Sequence, residues 1–549
     1  MGMSKLAMTF IMCMIILNQV SAQVNRYMVF FNAKSESVYT LDNPEAYLSD
    51  RAIERRIKYN IPVTLQDVPV NSLYINTLNS IDSVRVFYQT KWLNGVLIEG
   101  HESRIPEIEQ LEFVTEVQFV APGQRLNFES VYTSSTTEFL NQATDTEELT
   151  NASQNDMIGA DEMHDAGFSG QGKMVAVFDA GFIGTNISPY FTRMYENNQV
   201  VAVWDFVENS DNIYRYDDHG TSVLSTITAY LDEVFVGVAP DADVILCVTE
   251  DVPTEYIIEE YNWLFAAEYA DSIGVDIINT SLGYNFFDDP SMDYSYQDMD
   301  GNTAIITQAN DIASSKGILC VVSVGNEGDD ELWGKMVAPA DADSVIAVGA
   351  VNEDEEYQIF SSTGPTSDDR IKPEVSALGK GTSIVGWNGS LTYGSGTSYA
   401  APLVAGLAAG VWQAYPDLNN MEIIELIKKG STQYNTPDTL IGYGIPDFKA
   451  IQSEITSIDD DLSEKGYKIY PNPVKGHRLF VELTGSESII SDINIQIFDI
   501  NGSVVFSYRA EKIKSGSRFE LDLKKLSSGI YVLHLYSGTD GGKVKILIP

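Results

Sequence analysis

Three patterns of hydrophobic and polar positions succeed one another along the 549-residue chain. Across residues 23–125, short alternating runs are interleaved with 3.6-period stretches. YMVFFN (27–32) reads as a strand and AYLSDRAIERRIKY (46–59) as an amphipathic helix. VRVFYQTKWLNGVLIEG (84–100) reads as a strand pair, RIPEIEQLEF (104–113) as a second helix and VTEVQFV (114–120) as a last strand. That order predicts a small α+β unit. Residues 126–152 are rich in Ser, Thr, Asn and acidic positions without periodicity, and read as a linker.

The pattern then changes. Between 153 and 455, near-continuous apolar runs alternate with helical stretches: MVAVFDAGF (174–182), VVAVWDFV (200–207), VILCV (244–248), VDIINTSLG (275–283), ILCVVSVGN (318–326) and SVIAVGAV (344–351). Uninterrupted β-branched runs are the mark of parallel strands buried on both faces. A doubly wound α/β sheet is predicted, in which chemistry gathers at the carboxyl ends of strands. From 463 to 549 the runs shorten, alternate with period two and are separated by turns such as Asn501-Gly502 and Ser528-Gly529, predicting an all-β sandwich. At the other end, Lys5, the apolar run 6–17 and the small residues Ser21 and Ala22 predict a secretory signal over residues 1–22. The run falls short of the roughly 20 residues a spanning helix needs.

Charge sharpens this division. The chain carries a formal net charge of -44, yet residues 463–549 alone carry +3. So acidic a front part excludes nucleic acid as a partner, since phosphate backbones need a basic face. Cys13 lies in the signal. Cys247 and Cys320 fall in apolar runs that are not expected to be neighbouring strands, and they read as buried free thiols.

Three motifs share one logic. Val175–Gly181 is an apolar strand ending in Asp179, followed by small residues. Asp218–Ile227 sets His219, one of 5 histidines, before Gly-Thr and an apolar helical run. Gly394–Pro402 surrounds Ser398 with small residues and leads into a helix apolar on nearly all sides, which must be buried. Its N-terminal N–H groups would favour negative charge beside the serine. Singly, Asp179 is more often a turn residue, His219 as often structural as functional, and Ser398 an ordinary cap. Together they run Asp, His, Ser, the chain order of the subtilisin triad and of neither the chymotrypsin nor the α/β-hydrolase one.

On these blocks, and on the segments Gly237–Ala242, Ile278–Gly283, Ser323–Gly328 and Ser344–Ala350, the central region resembles the subtilisin family of serine peptidases over about 300 residues. The resemblance implies Ser398 as nucleophile, His219 as base and then acid, and Asp179 as its orienting carboxylate. It implies an oxyanion hole from the Asn326 amide and the Ser398 N–H. It also implies a substrate strand added along Ser281, Leu282 and Gly283, with Tyr284, in place of a commoner glycine, re-lining the non-prime pockets. Residues 23–125 stand where the family carries an inhibitory propeptide. The C-terminal module, with Tyr470-Pro471-Asn472-Pro473 and Gly529–Val532, resembles sorting domains of type IX secretion substrates in Gram-negative bacteria.

The expectation is therefore a secreted or cell-surface serine endopeptidase, exported through the periplasm and acting as a monomer on protein or peptide substrates. Its other partners would be its own propeptide and the secretion machinery. A catalytically silent surface scaffold is the competing reading. No cofactor is required; calcium at Asp288-Asp289 or Asp298–Asn302 is conceivable on ligand chemistry but not assignable, and solvated loops are the stronger reading.

Overall fold

The computed structural model describes residues 24–34, 37–123, 150–456, 466–484, 493–499, 504–510, 516–537 and 540–548. The expected signal and most of the linker lie outside them. Residues 24–122 form a four-stranded antiparallel sheet of β1 (Val24–Phe31), β2 (Val84–Thr90), β3 (Gly95–His101) and β4 (Val114–Pro122), in the order β2-β3-β1-β4.

Two helices precede β2. Helix α1 (Asp50–Lys58) opens on Ser49, whose side chain accepts from the Ala52 N–H; α2 (Ser72–Asn79) opens on Asn71 in the same way. The sequence reading gave only α1 before the strand pair and missed α2. The reason is physical. The core face of the sheet is closed by Tyr74, Ile75 and Leu78 of α2, whereas α1 buries Arg55 and Arg56. Its periodic face is polar and belongs to another domain.

The central domain is built on a seven-stranded parallel sheet: β5 (Met174–Asp179), β6 (Val200–Asp205), β7 (Asp243–Val248), β8 (Ile277–Thr280), β9 (Leu319–Ser323), β10 (Val345–Val351) and β11 (Val375–Leu378). Their order is β11-β10-β9-β8-β5-β7-β6, with every pairing parallel. The strand order reverses at β5, so a crevice opens there at the carboxyl edge. Cys247 and Cys320 lie on β7 and β9, separated by β5 and β8, and both are free and buried.

The sheet is covered on both faces. Helices α3 (His219–Thr228) and α6 (Thr397–Ala414) share one core; α4 (Ile258–Ile273) and α5 (Ile305–Ser315) lie in the other. Met28, Trp92, Leu97 and Val120 of the N-terminal module join the α4 side, so the outer face of its sheet continues the central core. A hairpin, β12 (Lys380–Val385) and β13 (Leu391–Ser395), delivers the chain to α6.

The C-terminal strands β14 (Tyr467–Lys475), β15 (Arg478–Leu483), β16 (Ile493–Phe498), β17 (Val504–Ala510), β18 (Arg518–Asp522), β19 (Gly529–Ser537) and β20 (Asp540–Ile548) form two sheets. Their orders are β14-β15-β18 and β17-β16-β19-β20, closing on one apolar core. Among the described residues no helix is long and apolar enough to cross a membrane.

Candidate active site

One cleft at the carboxyl edge of the sheet is lined by Asp179, His219, Ser281, Leu282, Gly283, Asn326 and Ser398. Asp179 closes β5, His219 opens α3, Ser281 follows β8, Asn326 follows β9 and Ser398 sits in the first turn of α6. All five therefore follow from one architectural fact, that strand ends and helix starts meet on the same side.

His219 Nδ1 lies 2.7 Å from Asp179 Oδ1, and the same oxygen accepts the Ala180 N–H at 2.8 Å. The second oxygen, Oδ2, is buried without a partner. Burial pushes the Asp179 carboxyl above the ordinary carboxylate range, against the pull of His219 and of the Ala180 N–H. Asp217 accepts the His219 backbone N–H at 2.8 Å, anchoring the start of α3. Gly181 and Gly220 let these turns approach: a Cβ on Gly220 would stand 2.5 Å from the Gly181 carbonyl.

The Asn326 amide is oriented by its neighbours. Its Oδ1 accepts from the Thr397 N–H at 2.9 Å and from the Thr397 hydroxyl at 3.1 Å. Donors on both bonds fix that atom as the oxygen, leaving the NH₂ end for the cleft. Gly325 takes a φ of +104°, and a Cβ there would meet Glu327 Oε2 at 2.3 Å. Only glycine fits this turn.

Ser398 has a support that the sequence motif conceals. Pro402 lies four residues on, inside α6, and has no N–H to give the Ser398 carbonyl. The Ser281 hydroxyl donates to that carbonyl instead, at 2.9 Å. The two motif blocks around Ser281 and Ser398 are thus joined by one hydrogen bond that replaces a missing helical one.

Tyr284 departs from expectation. Its backbone pairs with Ala338 in both directions, at 2.8 and 3.1 Å, so neither group is open to a substrate strand. Its ring is buried, and its hydroxyl lies 2.8 Å from both oxygens of Glu250. It does not line the cleft; Glu250 does. Among the described residues no backbone bond closes on Gly283.

Sequence reasoning missed Glu250, Glu255 and Glu259, which line the same cleft. Glu250 was within reach: it stands two residues past the apolar run of β7, the position logic that singled out Asp179. The acidic loops weighed for calcium are occupied otherwise. Asp298 Oδ2 takes the Ser295 N–H and hydroxyl, Asp300 takes the Asn302 and Thr303 N–H groups, and Asp289 takes Ser291. Among the described residues no group of three or more His, Cys, Asp or Glu side chains is gathered there for a metal ion.

Comparison with known proteins accords with the architecture. A family model described as the subtilase family matches residues 170–444, one described as a peptidase S8 propeptide domain of Bacteroidota matches 26–138, and one for a secretion system C-terminal sorting domain matches 468–549. The last marks the chain for export, to the medium or the cell surface. Subtilisin from Bacillus pumilus is 31% identical over 280 residues, covering 50% of this chain and 89% of that protein. Subtilisin E from Bacillus subtilis (strain 168) is 31% identical over 280 residues, and the match spans 64% of its length. The crystal structure of MycP1 from Mycobacterium smegmatis, 23% identical, superposes with a TM-score of 0.45 over 57% of this chain and 89% of that one. By its central domain the chain belongs to the subtilase family of serine proteases.

Proposed function

We propose that the chain is an exported serine endopeptidase that hydrolyses peptide bonds through Ser398, His219 and Asp179. The observation that carries the reading is the His219–Asp179 pair at 2.7 Å, its carboxylate buried and its imidazole opening on the cleft that Ser398 also lines. A serine hydroxyl attacks a carbonyl only when a base takes its proton. His219, its Nδ1 turned to Asp179, presents Nε2 for that task and returns the proton to the leaving amine.

Charge that develops on the substrate carbonyl falls to the Asn326 amide and the Ser398 N–H. The second of these lies in the first turn of α6, where N–H groups have no helical acceptor. The peptide would lie as an added strand on Ser281–Gly283. Nucleophile, base and oxyanion donors all come from the chain, so the reading calls for no cofactor. The N-terminal module would hold the enzyme inactive until cut, the C-terminal one would address it to the secretion machinery, and the mature protein would act as a monomer.

The test is Ser398→Ala. Casein hydrolysis should fall by at least roughly 10⁴-fold, and release of the N-terminal module should stop. Wild type and variant behaving alike on both counts would refute the reading and favour a silent scaffold.

A further inference from the structure

The cleft extends beyond the reacting residues into a pocket walled by carboxylates. Glu250 follows β7, Glu255 lies on the loop after it, and Glu259 is in the first turn of α4; all three line the cleft. Glu259 is 1% exposed, accepts the Asp251 N–H on Oε1 at 2.8 Å, and leaves Oε2 buried with no hydrogen-bond partner. Glu255 and Glu259 are close electrostatic neighbours. Glu250 receives the hydroxyls of Thr249 and Tyr284.

Carboxylates taken out of water ordinarily find a cation. Here, among the described residues, none of the three forms an ion pair with Lys or Arg. Their charged neighbours are Asp179, Asp251, Asp288, Glu260 and His219. What holds the cluster is the N-terminus of α4, whose dipole favours negative charge, and the hydroxyl and N–H donors just named. Val252 and Leu282 line the same space with apolar surface, which suits the methylene stem of a long basic side chain.

We propose that this pocket is a specificity subsite for an Arg or Lys side chain of the peptide, carried on the part of the substrate that lies along Ser281–Gly283. Glu259 Oε2 is the unfilled acceptor at its base, with Glu255 and Glu250 on its walls. A guanidinium or ammonium brings several charged donors to the carboxylate oxygens, Glu259 Oε2 first among them. Burial first, then the Asp179 charge for Glu250 and neighbouring Glu charges for Glu255 and Glu259, hold these carboxyls above the ordinary range in the empty pocket. A bound cation would therefore displace protons, and the basic preference should strengthen as pH rises.

The inference rests on the peptidase reading, and the experiment separates the two. Short peptides carrying Arg, Lys, Gln or Glu at each position in turn are offered to the self-processed full chain. At one position Arg or Lys should exceed Gln in kcat/KM by roughly 30-fold, the scale of hydrogen bonds to a charged group. In Glu259→Gln that ratio should fall below about 5-fold, and in Glu255→Lys it should invert in favour of Glu.

The same peptides are titrated onto the full chain carrying Ser398→Ala. Tighter binding of the Arg or Lys peptide without hydrolysis by wild type would leave the subsite standing and remove the peptidase reading. Hydrolysis with no basic preference at any position overturns the subsite and leaves the peptidase reading intact. So does a preference that survives both substitutions. A preference abolished by millimolar calcium and restored by a chelator would make the cluster a metal site and also overturn the proposal.

Discussion

Helix α4 carries buried carboxylates at both ends, and the two ends are completed in opposite ways. At its C-terminal end Glu268 accepts the Lys91 and Trp92 N–H groups at 2.8 and 2.9 Å. Asp271 is gripped by Arg55 at 2.6 Å and Arg56 at 2.9 Å, with Lys91 at 3.6 Å. The last carbonyls of the helix accept from Ser49 and Arg51. Every one of these donors comes from the N-terminal module. At the cleft end, among the described residues, Glu250, Glu255 and Glu259 form no ion pair with Lys or Arg. One end of the helix is a filled socket and the other an open one, and both face groups that must come and go: a propeptide and a substrate. The comparison teaches that the acidity of the front of the chain is not only surface charge. Part of it is organised as binding sites whose cations are supplied from elsewhere.

The largest effect should come from emptying the filled socket. Arg56 bonds both Asp67 and Asp271 in a buried setting. Removing one partner of such a pair costs about 3–5 kcal/mol, because a buried charge is left uncompensated. Arg56→Ala should therefore weaken docking of the N-terminal module by roughly 10²–10³-fold. The check uses the full chain with Ser398→Ala, its linker cut by an added protease. The module should co-elute with the rest in gel filtration, and separate in the Arg56→Ala variant. Continued co-elution would show that apolar contacts such as Trp92 and Leu97 hold the interface alone, and the likeness of the two sockets would fail.

A middle-sized effect concerns another buried acceptor served from a distance, the Ser398 carbonyl. Ser281→Ala leaves it without a donor, at a cost of about 1–3 kcal/mol. Because the loss falls beside the nucleophile, kcat should drop roughly 10-fold with KM little moved. Pro402→Ala restores a helical N–H to the same carbonyl, so the double variant should recover most of the loss. A double variant worse than either single one would show that Ser281 matters only through the substrate strand.

Much of this was legible in the sequence, and the gaps have a common cause. Continuous β-branched runs predicted six strands of the central sheet, and Asp179, His219 and Ser398 stood out by order and context. What stayed hidden depends on partners distant in the chain. AYLSDRAIERRIKY is periodic, but periodicity does not say that its charged face meets Asp271 more than 200 residues away. Tyr284 looked like a pocket residue because it follows the Ser-Leu-Gly segment. Only the bridge to Ala338 and the bond to Glu250 turn it inward. The short β11 and the β12–β13 hairpin are interrupted by polar positions and carry no clear period. Glu255 and Glu259 carry no periodic or motif signal that would single them out; only the fold brings them to the cleft.

The smallest effect compares the two ends by their response to pH. At the filled end burial would raise the Asp271 carboxyl, but Lys91, Arg56 and Arg55 outweigh it and hold it at about 2. The folded state there binds its proton less readily than the unfolded chain. Its stabilisation is full above the ordinary carboxylate range near 4 and fades as pH falls toward 2. At the open end the sign reverses. Burial, then the Glu250 charge, pushes Glu255 up to about 8. The folded state keeps a proton that the unfolded chain has released, so stability falls as pH rises from the ordinary range to about 8 and levels off beyond it. Glu255 is half-buried, so solvent weakens the effect. Glu255→Gln removes that slope. In thermal melts of the full chain with Ser398→Ala, the variant should match its parent near pH 4 and exceed it by roughly 2–4 °C at pH 9. A loss at pH 9 in place of the gain would mean that Glu255 already has a cationic partner, and the two ends of α4 would then be alike.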